Sequence, residues 1–241
     1  MDGNYRNRLC DYWMCCWRNF DDLSAQQSTT NANLYTNIEL SISCRDLCDT
    51  DVLSKSDPIV LVYSNSDTLD SWVEIGRTEM IKNNLNPDFA IKLLLEYRFE
   101  EQQRLKFSVF DIDSEAEELT DHDFLGGCEA TLGEIVSCGR IQKTLLDVIA
   151  EEVSTCRDEI TLLFSGRNLD KKDFFGSSDP FLAFYKVLED DTRNIVYRSE
   201  VIKKNLNPNW KSITMSARLL CNGDYNRTIV IACIDWNRNG K

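Results

Sequence analysis

Alternation of apolar and polar residues dominates the chain from Asn37 onwards. Over residues 37–44 and 105–110 every second position is apolar, which is the period of a half-buried β-strand. A continuous apolar run at 59–63 predicts a fully buried strand, and residues 132–136 indicate a short helix. Further strand-like stretches lie at 72–81, 160–165, 181–185, 196–202, 210–215 and 228–234. Short strands at this spacing predict an all-β fold of antiparallel β-sandwiches.

A helical period governs the first 35 residues instead. One apolar face is formed by Leu9, Tyr12, Trp13, Cys16, Trp17 and Phe20. This pattern predicts a short amphipathic helix that docks on the following domain or frays, and the polar residues 24–33 indicate a linker. A membrane-interface helix is the alternative, because Trp and Phe sit well at headgroup depth. Acylation at Cys15 and Cys16 is a further, weaker hypothesis.

An aspartate pattern occurs twice, at an offset of 122 residues. The pattern Leu-x3-Asp-x5-Asp-Pro comprises Leu47, Asp51, Asp57 and Pro58, and then Leu169, Asp173, Asp179 and Pro180. Each copy is followed by a strand-like run that ends in Asp-x-Asp (111–113) or Asp-x-Asn (235–237). The repeat predicts two tandem domains. We place them at 36–153 and 154–241, after an N-terminal segment at 1–35.

The order of the predicted strands brings the aspartates of the first domain together. When antiparallel strands follow one another, alternate connections fall at the same end of the sandwich. Asp51 and Asp57, the loop at 82–87, and then Asp111, Asp113 and Asp123 are therefore expected at one rim. Close carboxylates repel one another by roughly 1–4 kcal/mol per pair at intermediate dielectric. Oxygen ligands from several loops are what a calcium ion requires.

Charge and composition narrow the function classes. Residues 36–153 carry 25 acidic and 10 basic residues, a net charge of −15, whereas residues 154–241 carry a net +3. An anionic membrane should repel the first domain unless cations neutralise it, and the negative charge disfavours nucleic acid. The ten cysteines show no zinc spacing and the single histidine is His122. With no nucleophile or phosphate-binding motif either, we expect a binding protein, not an enzyme.

We find no apolar run of 18 residues and no secretory signal in the first thirty residues. The cysteines are therefore expected to be mostly free thiols, and we expect a cytoplasmic protein.

The aspartate pattern resembles the C2 domain, a calcium-dependent phospholipid-binding β-sandwich, and the tandem arrangement resembles the copine family. The resemblance covers about 36–241. It is carried by residues 53–58 (LSKSDP), 76–79 (GRTE), 84–87 (NLNP), 123–127 (DFLGG), 128–136 (CEATLGEIV), 169–176 (LDKKDFFG) and 205–208 (NLNP).

The resemblance implies a set of site residues. As calcium ligands it implies Asp51, Asp57, Asp111, Asp113 and Asp123 in the first domain, and Asp173, Asp179, Asp235 and Asn237 in the second. Membrane contacts are expected from Val52, Leu53 and Lys82, and from Phe174, Phe175, Lys203 and Lys204.

Two departures from the family pattern stand out. Asn237 occupies a position where the family usually has aspartate, and fewer carboxylates should weaken calcium binding. The family's final loop aspartate, the last strands of the second sandwich and the von Willebrand A-like domain of copines are not found before Lys241. We therefore expect a truncated form whose second domain is incomplete.

The resulting prediction is a protein that binds anionic phospholipid membranes with calcium as its cofactor. It would move from the cytoplasm to plasma or other membranes when calcium rises, in trafficking or signalling. The alternative is a calcium-independent protein-interaction module, a scaffold or adaptor, in which the aspartates merely cap turns. Calorimetry with calcium separates the two, since a ligand of the native state must raise its melting temperature.

Overall fold

A computed structural model of the chain describes residues 35–49, 55–65, 71–112, 122–171 and 178–236. The predicted N-terminal helix and linker lie outside these ranges. Within them, no helix combines the length and apolar character needed to cross a lipid bilayer.

The first part of the described chain, residues 35–152, forms two antiparallel sheets, and we call it the first module. One sheet has the order β4-β1-β8-β7 and the other the order β3-β2-β5-β6. Its elements are β1 (Tyr35–Cys44), β2 (Pro58–Asn65), β3 (Val73–Arg77), β4 (Leu93–Arg98), β5 (Arg104–Asp111), β6 (Asp123–Thr131), α1 (Leu132–Cys138), β7 (Arg140–Gln142) and β8 (Leu146–Glu152).

Strand alternation builds the core of the first module. Leu40 from β1 and Phe107 from β5 are fully buried, and Ile135 of α1 closes the same apolar cluster. Their polar neighbours Glu39 and Ser41 belong to the opposite face of β1, as period two requires. The cluster therefore lies between the two sheets, as in a β-sandwich.

The predicted helix at 132–136 is confirmed as α1. Its N-cap is Thr131, whose hydroxyl accepts a hydrogen bond from the backbone N–H of Glu134 at 3.1 Å. Its C-cap is Gly139, where φ is 69°, a conformation that glycine adopts without steric cost.

The second module, residues 159–236, repeats the β architecture. Its elements are β9 (Glu159–Leu162), β10 (Pro180–Val187), β11 (Arg193–Arg198), β12 (Ile213–Ser216), α2 (Ala217–Cys221) and β13 (Ile229–Asp235). They form the sheets β11-β10-β13 and β12-β9. A second apolar cluster, with Phe184 and Trp210 at its centre, packs between them.

The predicted fold class is confirmed, since the described strands pair in antiparallel sheets and form two apolar cores in tandem. Two strand ends differ from prediction for a shared reason. β3 ends at Arg77 and not at 81, and β11 ends at Arg198 and not at 202. The next residue, Thr78 or Ser199, uses its hydroxyl to accept the N–H of the partner strand, at 3.0 and 2.8 Å. A side chain thus replaces the backbone carbonyl, and the ladder stops.

Candidate functional site

Three of the predicted ligands of the first module lie at one end of the sheet β3-β2-β5-β6. Asp111 is the last residue of β5 and is paired across the sheet with Pro58 on one side and Asp123 on the other. Asp57 directly precedes Pro58. The structure therefore places at one end of a sheet three aspartates that are up to 66 positions apart in the chain. We call this end, with the loop that carries Asn83, the first rim.

A chain of hydrogen bonds fixes two carboxylates of the first rim, those of Asp57 and Asp111. The backbone N–H of Asp57 donates to Oδ1 of Asp111 at 2.6 Å. The backbone N–H of Asn83 donates in turn to Oδ1 of Asp57 at 2.7 Å. Asn83 is left-handed, with φ of 54°, which asparagine tolerates better than most residues. The left-handed turn aims an amide at the carboxylate and ties the middle loop to the first loop.

The same hydrogen-bond chain recurs in the second module. The backbone N–H of Asp179 donates to Oδ1 of Asp235 at 2.6 Å, and that of Lys204 donates to Oδ1 of Asp179 at 2.6 Å. Lys204 is also left-handed, with φ of 52°. We call this group of Asp179, Asp235 and the Lys204 loop the second rim.

Further matched contacts hold both first loops in shape. The backbone N–H of Asp46 donates to Oδ1 of Asn86 at 2.9 Å, and that of Asn168 donates to Oδ1 of Asn207 at 2.9 Å. Asp46 and Asn168 have φ of 53° and 52°. Such equal geometry in both copies shows that the sequence repeat encodes a repeated loop structure and not only repeated strands.

The chemistry of these groups suits a hard cation. Asp111 is fully buried, and a buried carboxylate needs local donors or a cation to offset its desolvation. In the second rim, Oδ2 of Asp235 is shielded from solvent and has no hydrogen-bond partner among the described residues. In each rim, backbone amides donate to Oδ1 of two aspartates, which are Asp57 and Asp111 in the first rim and Asp179 and Asp235 in the second. Carboxylate oxygens held in this way fit calcium, which takes oxygen ligands in flexible geometry.

Several predicted site residues lie outside the described ranges. They are the predicted ligands Asp51, Asp113, Asp173 and Asn237, and the predicted membrane contacts Val52, Leu53, Phe174 and Phe175. Across the part of the chain that the structure describes, no group of three or more His, Cys, Asp or Glu side chains is arranged to hold a metal. A complete calcium shell would therefore have to draw on the loops that carry these aspartates.

Two exposed aromatic residues at the rims were missed by the sequence reasoning. Phe124 follows Asp123, is 61% exposed and packs edge-to-face on Phe110. Trp236 follows Asp235, is 40% exposed and lies beneath Lys203, whose Nζ is 5.6 Å from the ring centroid. The available signal was an aromatic residue next to a rim aspartate, at a position where the strand alternation ends.

Comparison with protein families identifies the class of protein to which these two modules belong. The family model of the C2 domain matches residues 38–146 and 161–241, and the chain belongs to the C2 domain family.

Among solved structures, the chain is similar to the two calcium-bound C2 domains of extended synaptotagmin 2, with 16% identity and a TM-score of 0.37 over 83% of this chain and 78% of that one. It is also similar to the second C2 domain of BON1, with 17% identity and a TM-score of 0.38 over 53% and 99%. A third match is human GIVD cytosolic phospholipase A2, with 13% identity and a TM-score of 0.37 over 84% and 32%.

Proposed function

We propose that this chain is a calcium-dependent phospholipid-binding protein whose two rims dock on anionic membranes. Membership in the C2 domain family supports a membrane-binding role in general. The observation that carries the calcium dependence is the duplicated aspartate geometry, in which Asp57 and Asp111, and likewise Asp179 and Asp235, are joined through a backbone amide. On this proposal it is a binding protein of the copine type and not an enzyme.

Calcium supplies positive charge at the rims, and the chain's own residues hold it and meet the lipid. Asp57, Asp111 and Asp123 would hold the ion in the first rim, and Asp179 and Asp235 in the second. The residues 36–153 carry a net charge of −15, so an anionic surface repels them until cations neutralise the rim. The protein would therefore stay in the cytoplasm at low calcium and move to plasma or other membranes when calcium rises.

Basic and aromatic residues beside the aspartates complete the lipid contact. Lys82 on the middle loop of the first module, and Lys203 and Lys204 on that of the second, contribute about 1 kcal/mol each near an anionic surface. Phe124 and Trp236 supply exposed rings next to the aspartates. Aromatic side chains favour the headgroup region, where apolar and polar surroundings meet.

Co-sedimentation with vesicles of phosphatidylserine and phosphatidylcholine tests the proposal. The whole chain should bind in calcium and remain in solution with a chelator. The double variant Asp57→Asn/Asp111→Asn should lose most of this binding while it stays folded, because asparagine keeps an oxygen that accepts the amide hydrogen bond. Asp191→Asn is a matched control, since Asp191 is exposed, lies in the β10–β11 turn away from the rims and has a φ of 61° that asparagine tolerates. Unchanged binding of the double variant would refute the ligand assignment.

A calcium-independent protein-interaction module is the second candidate function. It is favoured by the finding that no three potential metal ligands converge within the described ranges. In that case the aspartates serve as acceptors for the backbone amides of their loops. Titration calorimetry decides between the two functions, since the interaction module should give neither heat nor thermal stabilisation with calcium.

A further inference from the structure

Three contacts between the two modules lie in one order along β1 and its neighbours. Farthest from the rims among these three, Lys186 of β10 forms ion pairs with Glu39 of β1, at 3.2 Å, and with Glu151 of β8. Glu39 and Glu151 face each other directly across the β1–β8 ladder. Lys186 is only 1% exposed. A basic residue of the second module thus bridges two carboxylates on the outer face of the first module's sheet.

The middle of the contact is a pair of hydrogen bonds through Asn194. Its side-chain amide donates to the hydroxyl of Ser41 at 2.7 Å, and its Oδ1 accepts from Nζ of Lys92 at 2.9 Å. Asn194 is paired with Lys186 in the β10–β11 ladder, while Ser41 lies two residues closer to the first rim than Glu39. The contact of Asn194 with β1 therefore lies closer to the first rim than the contact of Lys186 does.

Close to the rims, Arg198 makes the last of these contacts. Its Nη1 donates to Glu79 at 3.0 Å and its Nη2 to the backbone oxygen of Asp88 at 2.5 Å. Arg198 ends β11, on the side of the second rim. Asp88 is bridged to Ser43 at the rim end of β1. In both modules the contact of Lys186 lies farther from the rims than the contact of Arg198, so both modules point the same way.

The two rims consequently border one cleft of about 440 Å³. One wall contains Lys82, Asn84 and Asn86 of the first module's middle loop, and the other contains Ser199, Asp235 and Trp236 of the second module. Lys203 lies over the ring of Trp236. The edges of the cleft thus carry basic and aromatic groups, which suit the headgroup layer of an anionic bilayer.

We infer that the buried contacts lock the modules into one unit whose two rims face the same side, and that the partner of this unit is the surface of a single anionic bilayer engaged by both rims at once. The nature of the surface rests on the proposed function, whereas the orientation of the rims rests on the contacts between the modules. With both rims on one side, binding of one rim places the other at high effective concentration on the same membrane. Bridging between two membranes is disfavoured for the same reason.

Lysine cross-linking in chelator, without lipid, tests the orientation alone. A short-spacer, amine-reactive reagent should join Lys82 to Lys203 or Lys204 within one molecule, and mass spectrometry would identify the linked peptides. The double variant Lys203→Arg/Lys204→Arg is the matched control, since it keeps both charges and removes both linkable amines. Links from Lys82 to the far-end residue Lys186 in place of those to Lys203 and Lys204, or links within each module but none between the rims, would overturn the inference.

Vesicle experiments test the use of both rims. With calcium and phosphatidylserine vesicles, the whole chain should bind without clustering the vesicles, as followed by dynamic light scattering. The variant Asp179→Asn/Asp235→Asn should bind at least tenfold more weakly although its first rim is intact. Calcium-dependent clustering that needs both rims would show that the rims engage different membranes and would refute the inference. If no variant and no wild type binds vesicles, the proposed function fails, and the cross-links still decide the orientation.

Discussion

The backbone N–H of Asp57 donates to Oδ1 of Asp111 across 2.6 Å. This bond joins the residue that precedes β2 to the last residue of β5, 54 positions later. It ties the backbone of Asp57 to the carboxylate of Asp111 at the end of the sheet. Asp179 and Asp235 have the same relationship in the second module, also at 2.6 Å.

Calcium should therefore stabilise the chain, and Asp111→Asn should abolish most of that effect. Calcium at a hundred times its dissociation constant stabilises the native state by about 2.7 kcal/mol, which is roughly 5–10 °C in Tm for a chain of this size. The amide of the variant still accepts from Asp57, so its Tm in chelator should equal or exceed that of the wild type, since one like charge is gone. Differential scanning calorimetry in calcium and in chelator measures both effects. A variant with an unchanged calcium-induced rise in Tm would contradict this role of Asp111.

The buried ion pairs between the modules should make Lys186 important for stability. Burial alone would raise the pKa of the Glu151 carboxyl, but Lys186 and Arg227 outweigh it, so that this pKa lies below its usual range and Glu151 is charged at neutral pH. Removing one partner of a buried ion pair costs about 3–5 kcal/mol. Lys186→Met should therefore lower the free energy of unfolding by an amount at the lower end of this range, because Arg218 and Arg227 remain beside the carboxylates.

Urea denaturation of three variants checks this assignment. Adding Glu39→Gln to Lys186→Met should recover part of the lost stability, since it removes one of the two facing charges. Asp190→Asn is the control, because Asp190 pairs with Arg140 across the modules at an exposed position, where solvent screens an ion pair so that it contributes little to stability. Equal losses in Lys186→Met and Asp190→Asn would argue against a buried charge cluster.

The strand pattern and the aspartate repeat were sufficient to predict the all-β fold and the placement of Asp57, Asp111 and Asp123 at one end of the same sheet. Both signals are local, since alternation marks the buried face of a strand and repeated loop residues mark repeated turns. The role of Glu39 was not predictable in this way. Its alternation suggests a solvent-facing position, yet it is 6% exposed because the second module covers it. Which outer face of a sheet becomes covered depends on tertiary packing. Such packing leaves no periodic pattern in the local sequence.

The strands β4 and β6 were missed for different reasons. β4 alternates only weakly, since Leu93, Leu94 and Leu95 are consecutive and Leu94 is exposed. β6 contains Gly126 and Gly127, which are unfavourable in strand interiors. Here Gly127 is required by close approach to the neighbouring backbone, and Gly126 by its φ of 142°. The low strand propensity of glycine is outweighed by the close packing of β6 against β5.

Stability should depend on pH through Lys92. Burial, followed by the nearby charge of Lys186, lowers the pKa of Lys92 to about 7 in the folded chain, whereas an unfolded lysine titrates near 10.5. Between these values the unfolded state binds more protons, so the free energy of unfolding should rise with pH by at most about 1.4 kcal/mol per unit. The destabilising effect of burying the ammonium is fully present below pH 7.

The variant Lys92→Met isolates this contribution. The difference in free energy of unfolding between wild type and variant should shift in favour of the wild type from pH 7 to pH 10, as measured by urea denaturation at each pH. Lys211→Met, at an exposed position, should show no such shift. A constant difference between wild type and Lys92→Met across this range would mean that Lys92 keeps an ordinary pKa in the folded chain.

Gly127 should tolerate no side chain, although it lies in the middle of a strand. A Cβ atom at Gly127 would stand 2.2 Å from the backbone oxygen of Phe107, the neighbouring strand of the same sheet. Backbone cannot yield as a flexible side chain does, so Gly127→Ala must shift β6 against β5, and overpacking of this kind costs about 1–3 kcal/mol. Because β6 begins at Asp123, the shift should also displace the first rim and weaken calcium binding.

Gly133→Ala is the matched control for this substitution. Gly133 lies within α1, and a Cβ there meets the hydroxyl of Tyr97 at 3.4 Å, an ordinary contact. Alanine in a helix interior is favoured over glycine by roughly 0.5–1 kcal/mol, so this variant should be at least as stable as the wild type. Thermal unfolding compares the two variants directly, and calorimetric titration with calcium measures the effect on the rim. If Gly127→Ala matched Gly133→Ala in both measurements, the close approach of β6 to β5 would contribute nothing to stability or to calcium binding.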